Sequence, residues 1–218
     1  MRLPLSVAAL ALLPSLAYAH VGTGETGGFL HGLTHPVSGL DHICAMLAIG
    51  LWAAQTGGRS MWAVPLIFVS VMALGGILPL LGIGLPFVEQ GIALSVLLLG
   101  VLIAASVRLP LWLSSSMVGL FALWHGHAHG TEMPALASGI EYVLGFMLAT
   151  VLLHVVGIAF GVGMQRLPVL MKLLAIRLGY QEAIAKSLVM SLAEGAREHA
   201  IRAAGASIAL CGMYLSAA

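Results

Sequence analysis

Six apolar runs, each near the length that crosses a bilayer, leave this chain few ways to fold. They lie near residues 39–54, 61–81, 87–107, 111–127, 137–164 and 200–217. A helix rises 1.5 Å per residue, so about 20 apolar residues span the hydrocarbon core. In lipid each backbone N–H and C=O must be satisfied inside the segment, which makes these runs helices. The rest of the chain offers no water-facing alternative. Only 8% of its 218 residues are charged, where a soluble domain carries about a quarter. Mean hydropathy is +1.05. The expected fold is all-α: a polytopic membrane helix bundle of about six transmembrane helices, one domain over residues 20–218, with lipid as its main partner.

The first residues, "MRLPLSVAALALLPSLAYA", combine an early Arg2, a short apolar stretch broken by Pro14, and an Ala17-Tyr18-Ala19 ending. That pattern predicts a cleaved signal peptide at 1–19, with His20 as the new N-terminus. Orientation then follows from lysine and arginine, which favour the cytoplasmic side. The connections after runs one and three hold Arg59 and Arg108, and the long segment at about 165–199 holds Arg166, Lys172, Arg177, Lys186 and Arg197. The connections after runs two and four, "GIGLPFVEQ" and "GHAHGTEMPA", hold no Lys or Arg. The mature N-terminus and the C-terminus are therefore expected in the periplasm of a bacterium, and the basic segment on the cytoplasmic side as an interfacial or cytoplasmic helical hairpin.

Against this apolar background, two polar clusters stand out on the expected external side. "HGLTHPVSGLDH" contains His31, His35, Asp41 and His42, and leads into the first run. His35-Pro36 suits a helix start, Ser38 and Asp41 have capping-box spacing, and a continuous helix would put His35, Ser38 and His42 on one face. "HGHAHGTE" contains His125, His127, His129 and Glu132. His125, His129 and Glu132 follow i, i+4, i+7 spacing and share a helical face, whereas His127 points elsewhere. Ionisable groups within a membrane are costly and mark function. Imidazoles with carboxylates suit a divalent transition metal, and either acid could instead orient a histidine from behind. The two clusters are expected to be halves of one site, brought together by packing of the first and fourth spans.

Glu89, opening the third run, could complete the site from another helix. His154 lies about 20 Å below Glu141 along the fifth run, either as an inner ligand or as a packing histidine, and Glu141 could line the same pathway. Met46 is expected in the core. The net charge of +1 gives no reason to expect nucleic acid, and no phosphate-binding loop marks an ATPase. Cys44 and Cys211 form neither a disulfide framework nor a CxxC metal motif.

The octapeptide from His35 to His42 matches HPxxGxDH, and "WHGHAHGTE" resembles HGxAHGxE, the two motifs of the HupE/UreJ family of nickel and cobalt permeases. "GFMLATVLLHVVG" resembles that family's fifth span, so the similarity runs over nearly the whole chain. It implies uptake of Ni²⁺ or Co²⁺ across the inner membrane for hydrogenase or urease maturation, by a protein that is not an enzyme and holds no permanent cofactor. It also implies that His35, Asp41, His42, His129 and Glu132 bind the metal. His125, Glu89, His31, His127 and His154 are further candidate ligands. The residues alone also admit a b-type cytochrome, a di-iron hydroxylase or a metal sensor or chaperone, and they leave a homo-oligomer open. The orientation is checked with a Lys172→Cys variant, which should resist an impermeant thiol label in intact spheroplasts; labelling would invert the arrangement.

Overall fold

The computed structural model describes residues 28–133, 139–184, 187 and 189–217; the expected signal peptide and His20 lie outside them. The described residues form helices without strands: α1 Gly28–Ser38, α2 Leu40–Thr56, α3 Ser60–Leu80, α4 Val88–Ala104, α5 Leu111–Thr131, α6 Gly139–Arg177, the one-turn α7 Glu182–Ile184, and α8 Met190–Ala217. Each apolar run has become one long helix. The span count is less uniform than the sequence suggests. α3, α6 and α8 are long and apolar enough to cross a membrane, and α1 and α2 qualify only together, bent by 82°. α4 is apolar but has 17 residues. α5 has 21 residues, and its histidine-rich last turns dilute its hydropathy.

The bend corrects one expectation. His35, Ser38 and His42 do not lie on one continuous helix, because the chain breaks at Gly39, whose φ of −99° and ψ of 124° are extended. Pro36 sits near the end of α1 rather than opening a helix. The N-cap of α2 is Gly39, with no side-chain cap bond, and Ser38 Oγ donates to the His35 carbonyl at 2.6 Å, so Ser38 and Asp41 do not form a capping box. The helix ends also run past the apolar boundaries. α6 continues to Arg177 through Pro168, and its 39 residues measure about 58 Å at 1.5 Å each, well beyond a bilayer core. Hydropathy reports where lipid ends, whereas a helix ends where its hydrogen bonding does. Past Arg177 the chain turns and returns through α7 and α8, with Lys172 Nζ 3.5 Å from Glu182 Oε1 across the turn. Within the basic segment the described residues are helical at the end of α6, in α7 and at the start of α8.

Three close helix pairings build the bundle: α3 on α5, α4 on α8, and the α1–α2 pair on α6. Each is seamed by glycines that let backbones touch, the usual device where lipid removes the hydrophobic drive for helix association. On α5 a Cβ at Gly126 would meet the Met72 carbonyl, and one at Gly130 the Gly76 carbonyl. Gly50 and Gly157 bring α2 onto α6, and Gly100 and Gly205 bring α4 onto α8. α2 and α5 share no such seam. They meet through side chains across the interior, with His42 against His125 and His129. Trp52, Phe68, Met72, Leu99, Phe121 and Phe146 fill the core, and Met46 is fully buried among them, as expected. Leu66, Leu74, Leu152, Val156 and Leu210 are exposed, on a scale that suits lipid rather than water. The bundle has a histidine-bearing end and an opposite end where Trp52 Nε1 donates to the Val107 carbonyl at 2.9 Å and Gln165 Nε2 to the Ala54 carbonyl at 2.7 Å.

Gly126→Val should therefore drive α3 from α5, at about 1–3 kcal/mol or more of overpacking, and lower the midpoint of thermal unfolding in detergent. Gly163→Ala, where a Cβ meets nothing within 4 Å, should leave the midpoint unchanged or raise it slightly.

Candidate metal centre

Breaking the helix at Gly39 does two things for the site. It turns α1 so that His35 faces the end of α5, and it puts Asp41 and His42 in the first turn of α2. Asp41 Oδ1 accepts the His42 backbone N–H at 2.9 Å and lies 3.0 Å from His42 Nδ1. A carboxylate only accepts, so the neutral His42 ring carries its proton on Nδ1 and bares Nε2. That Nε2 is buried with no hydrogen-bond partner among the described residues. Asp41 thus stands behind His42 and orients it. A Cβ at position 39 would press on Asp41 Oδ1 at 2.6 Å and on His42 Nδ1 at 3.1 Å, which accounts for glycine between proline and aspartate in this stretch.

The second cluster meets the first at this point. α5 runs helically through Thr131, and Glu132 is its C-cap. His35 Nε2 lies 2.7 Å from Glu132 Oε2. One ligand atom from each of His35, His129 and Glu132 falls within 4.8 Å of the others. His129 is the hub. Its ring centroid is 5.1 Å from that of His35 and 4.5 Å from that of His42, and it stacks on Phe146 at 5.0 Å. Neither of its ring nitrogens has a partner among the described residues. His125 lies one turn deeper, with its centroid 5.0 Å from that of His42.

Ser95, which the sequence reading missed, fixes the His125 ring. Ser95 Oγ donates its one hydrogen to the Ile92 carbonyl at 2.6 Å. At 3.0 Å from His125 Nε2 it can then only accept, so Nε2 holds the proton and Nδ1 is bare. That Nδ1 is also buried without a partner among the described residues. The signal was present in the sequence: Ser95 is the one hydroxyl in the apolar helix "VEQGIALSVLLLGVLIA". Below His125 the Phe68 ring lies 5.6 Å away, and on its other side is His154 at 5.3 Å, buried with both nitrogens unpartnered among the described residues.

Exposure falls steadily along this series. The Glu132 side chain is 45% exposed and His35 18%, His42 is 9%, and His129 and His125 are fully buried. Buried polar atoms are normally hydrogen-bonded, and this column of imidazole nitrogens without partners among the described residues offers lone pairs to a ligand. The remaining candidates sit around it. His31 stacks on His35 at 6.1 Å and approaches the Tyr142 ring at 5.9 Å. Tyr142, also missed, has a buried hydroxyl without a partner among the described residues. His127 points away, as its register requires. Its Nε2 lies 3.1 Å from the Leu85 amide and 3.2 Å from the Ile83 carbonyl, pinning the α3–α4 connection. Glu89 is outside the His35–His129–Glu132 group. It joins Asp41, Gln90, Leu215 and Ser216 around a separate cavity of about 450 Å³. Glu141 is exposed in the first turn of α6.

The fold and the site together describe a polytopic membrane protein with a polar column of imidazoles and carboxylates at one end of its bundle. Comparison with known proteins makes the class specific. The family model described as HupE / UreJ protein matches residues 8–184, and the chain belongs to that family. It is 52% identical over 157 residues, 72% of this chain and 81% of the relative, to Protein HupE of Rhizobium leguminosarum bv. viciae. No solved structure matches.

Proposed function

We propose that this chain is a secondary permease that takes up Ni²⁺ or Co²⁺ across the bacterial inner membrane and supplies a metalloenzyme such as hydrogenase or urease. The observation that carries the reading is the convergence of His35, His129 and Glu132 from two distant stretches, within 4.8 Å of one another, above imidazoles whose bare nitrogens have no partner among the described residues. Nitrogen and carboxylate donors suit these borderline ions. Glu132 and His35 would take the ion at the periplasmic face, the hydrogen bond between them giving way to it. His129 would draw it inward, His42 and His125 would offer the next lone pairs, and His154 would serve beyond Phe68. Glu89 and Asp41, around their own cavity, would concentrate cations at the same end. The carboxylates behind or beside the outer imidazoles favour a dication over haem, as does the packing of ring against ring within 4.5–5.1 Å.

The driving force needs no nucleotide. A membrane potential of 100 mV is worth about 2.3 kcal/mol per charge, hence about 4.6 kcal/mol for a dication. At 1.4 kcal/mol per tenfold that is roughly a thousandfold accumulation. A site that admits the ion must also release it, so it must hold the ion weakly enough to let it go inward.

The test is ⁶³Ni and ⁵⁷Co uptake by cells expressing the chain, with and without an uncoupler. His42→Ala and His129→Ala should each abolish most uptake at low metal with protein abundance unchanged, and the double variant should be little worse than either, because residues acting as a unit are non-additive. His127→Ala should lose much less. Multiplying losses from His42 and His129 would mean separate sites, and uptake unchanged in either single variant would remove that residue from the pathway.

A further inference from the structure

The geometry points to Cys44 and Cys211 as a modification site: a dithiol that closes reversibly to a disulfide and staples the metal-site helix α2 to the last helix α8. The two residues are 167 apart in sequence, and their sulfurs are 3.4 Å apart, the Cys44 thiol donating to Cys211 Sγ. Sequence spacing alone hides the pair, because it exists only through the packing of α2 beside α8. Both side chains are half-buried and packed against the core. A disulfide needs sulfurs about 2.05 Å apart, so closure asks for a shift of roughly 1.4 Å, within reach of small side-chain rotations.

The placement gives the bond a consequence. Cys44 lies less than one turn after His42, on the helix whose first turn holds Asp41. α2 is seamed to α6 by Gly50 and Gly157, whereas against α8 it has no glycine seam. A bond from Cys44 to Cys211 would tether the lightly held side of the site helix and close a long loop, which constrains the unfolded chain. The chemistry balances by thiol–disulfide exchange. One thiolate attacks an organic disulfide, forms a mixed disulfide and expels one thiol; the second cysteine attacks that mixed disulfide and expels another. Two S–H bonds are lost, one S–S bond forms, and the oxidant leaves as two thiols. In the proposed orientation the pair lies toward the periplasm, an oxidising compartment.

The experiment treats the purified full-length protein in detergent with 4,4′-dithiodipyridine and follows released thiopyridone, intact mass and thermal unfolding. Expected are two thiopyridones per chain, a product lighter than the reduced protein by two hydrogens, a higher unfolding midpoint, and reversal of all three by dithiothreitol. Cys211→Ser should release one thiopyridone and keep a thiopyridyl adduct on Cys44, which also shows that this thiol is reachable in a folded variant. Two retained adducts on the wild-type chain, or thiols that react only after denaturation, would overturn the proposal. Metal uptake is not a readout, so failure here and failure of the permease reading are distinguishable.

Discussion

A neutral imidazole has one donor and one acceptor nitrogen, and in an apolar interior an unused nitrogen costs about 1–3 kcal/mol. This bundle buries such nitrogens on His42, His125, His129 and His154. Other features follow from keeping them open and aimed. Asp41 ties down one side of His42, and Ser95 one side of His125, so in each ring the opposite nitrogen is bare. Phe146 and Phe68 flank the rings with surfaces that offer no competing hydrogen bond. The structure thus holds lone pairs in a low-dielectric column where a cation is the natural complement and where water would otherwise have to be admitted.

Holding that column requires the unusual pairing of the helices. α2 and α5 carry most of the imidazoles, yet they do not pack backbone to backbone. Each is instead pressed by glycines onto a different partner, α2 onto α6 and α5 onto α3. A direct seam between α2 and α5 would leave no room for His42 to meet His125 and His129. The break at Gly39 serves the same end. It frees α1 to swing by 82° and lay His35 against Glu132 at the mouth.

Much of this was legible in the sequence. Hydropathy located the six long helices, because lipid imposes helical structure on any apolar run of that length. The spacing of His125 and His129 placed them on one face, and the register set His127 apart. The convergence of the two clusters followed from their shared depth. Other features were hidden for physical reasons. The Gly39 break could not be separated from a continuous helix, since Pro36 and Gly39 are compatible with a helix start as well as with a bend. Helix ends beyond the membrane escaped because hydropathy does not sense hydrogen bonding. Ser95 and the Cys44–Cys211 contact depend on which helices are neighbours, and one apolar helix offers little to say which other it will touch.

The central claim is that two distant stretches donate to one metal ion, and X-ray absorption at the nickel edge of the loaded, purified protein tests it most directly. The account predicts a first shell of nitrogen and oxygen, with outer-shell scattering from at least two imidazoles, and the loss of one imidazole contribution in His35→Ala and in His129→Ala alike. A first shell containing sulfur, or an imidazole contribution unchanged in both variants, would contradict it.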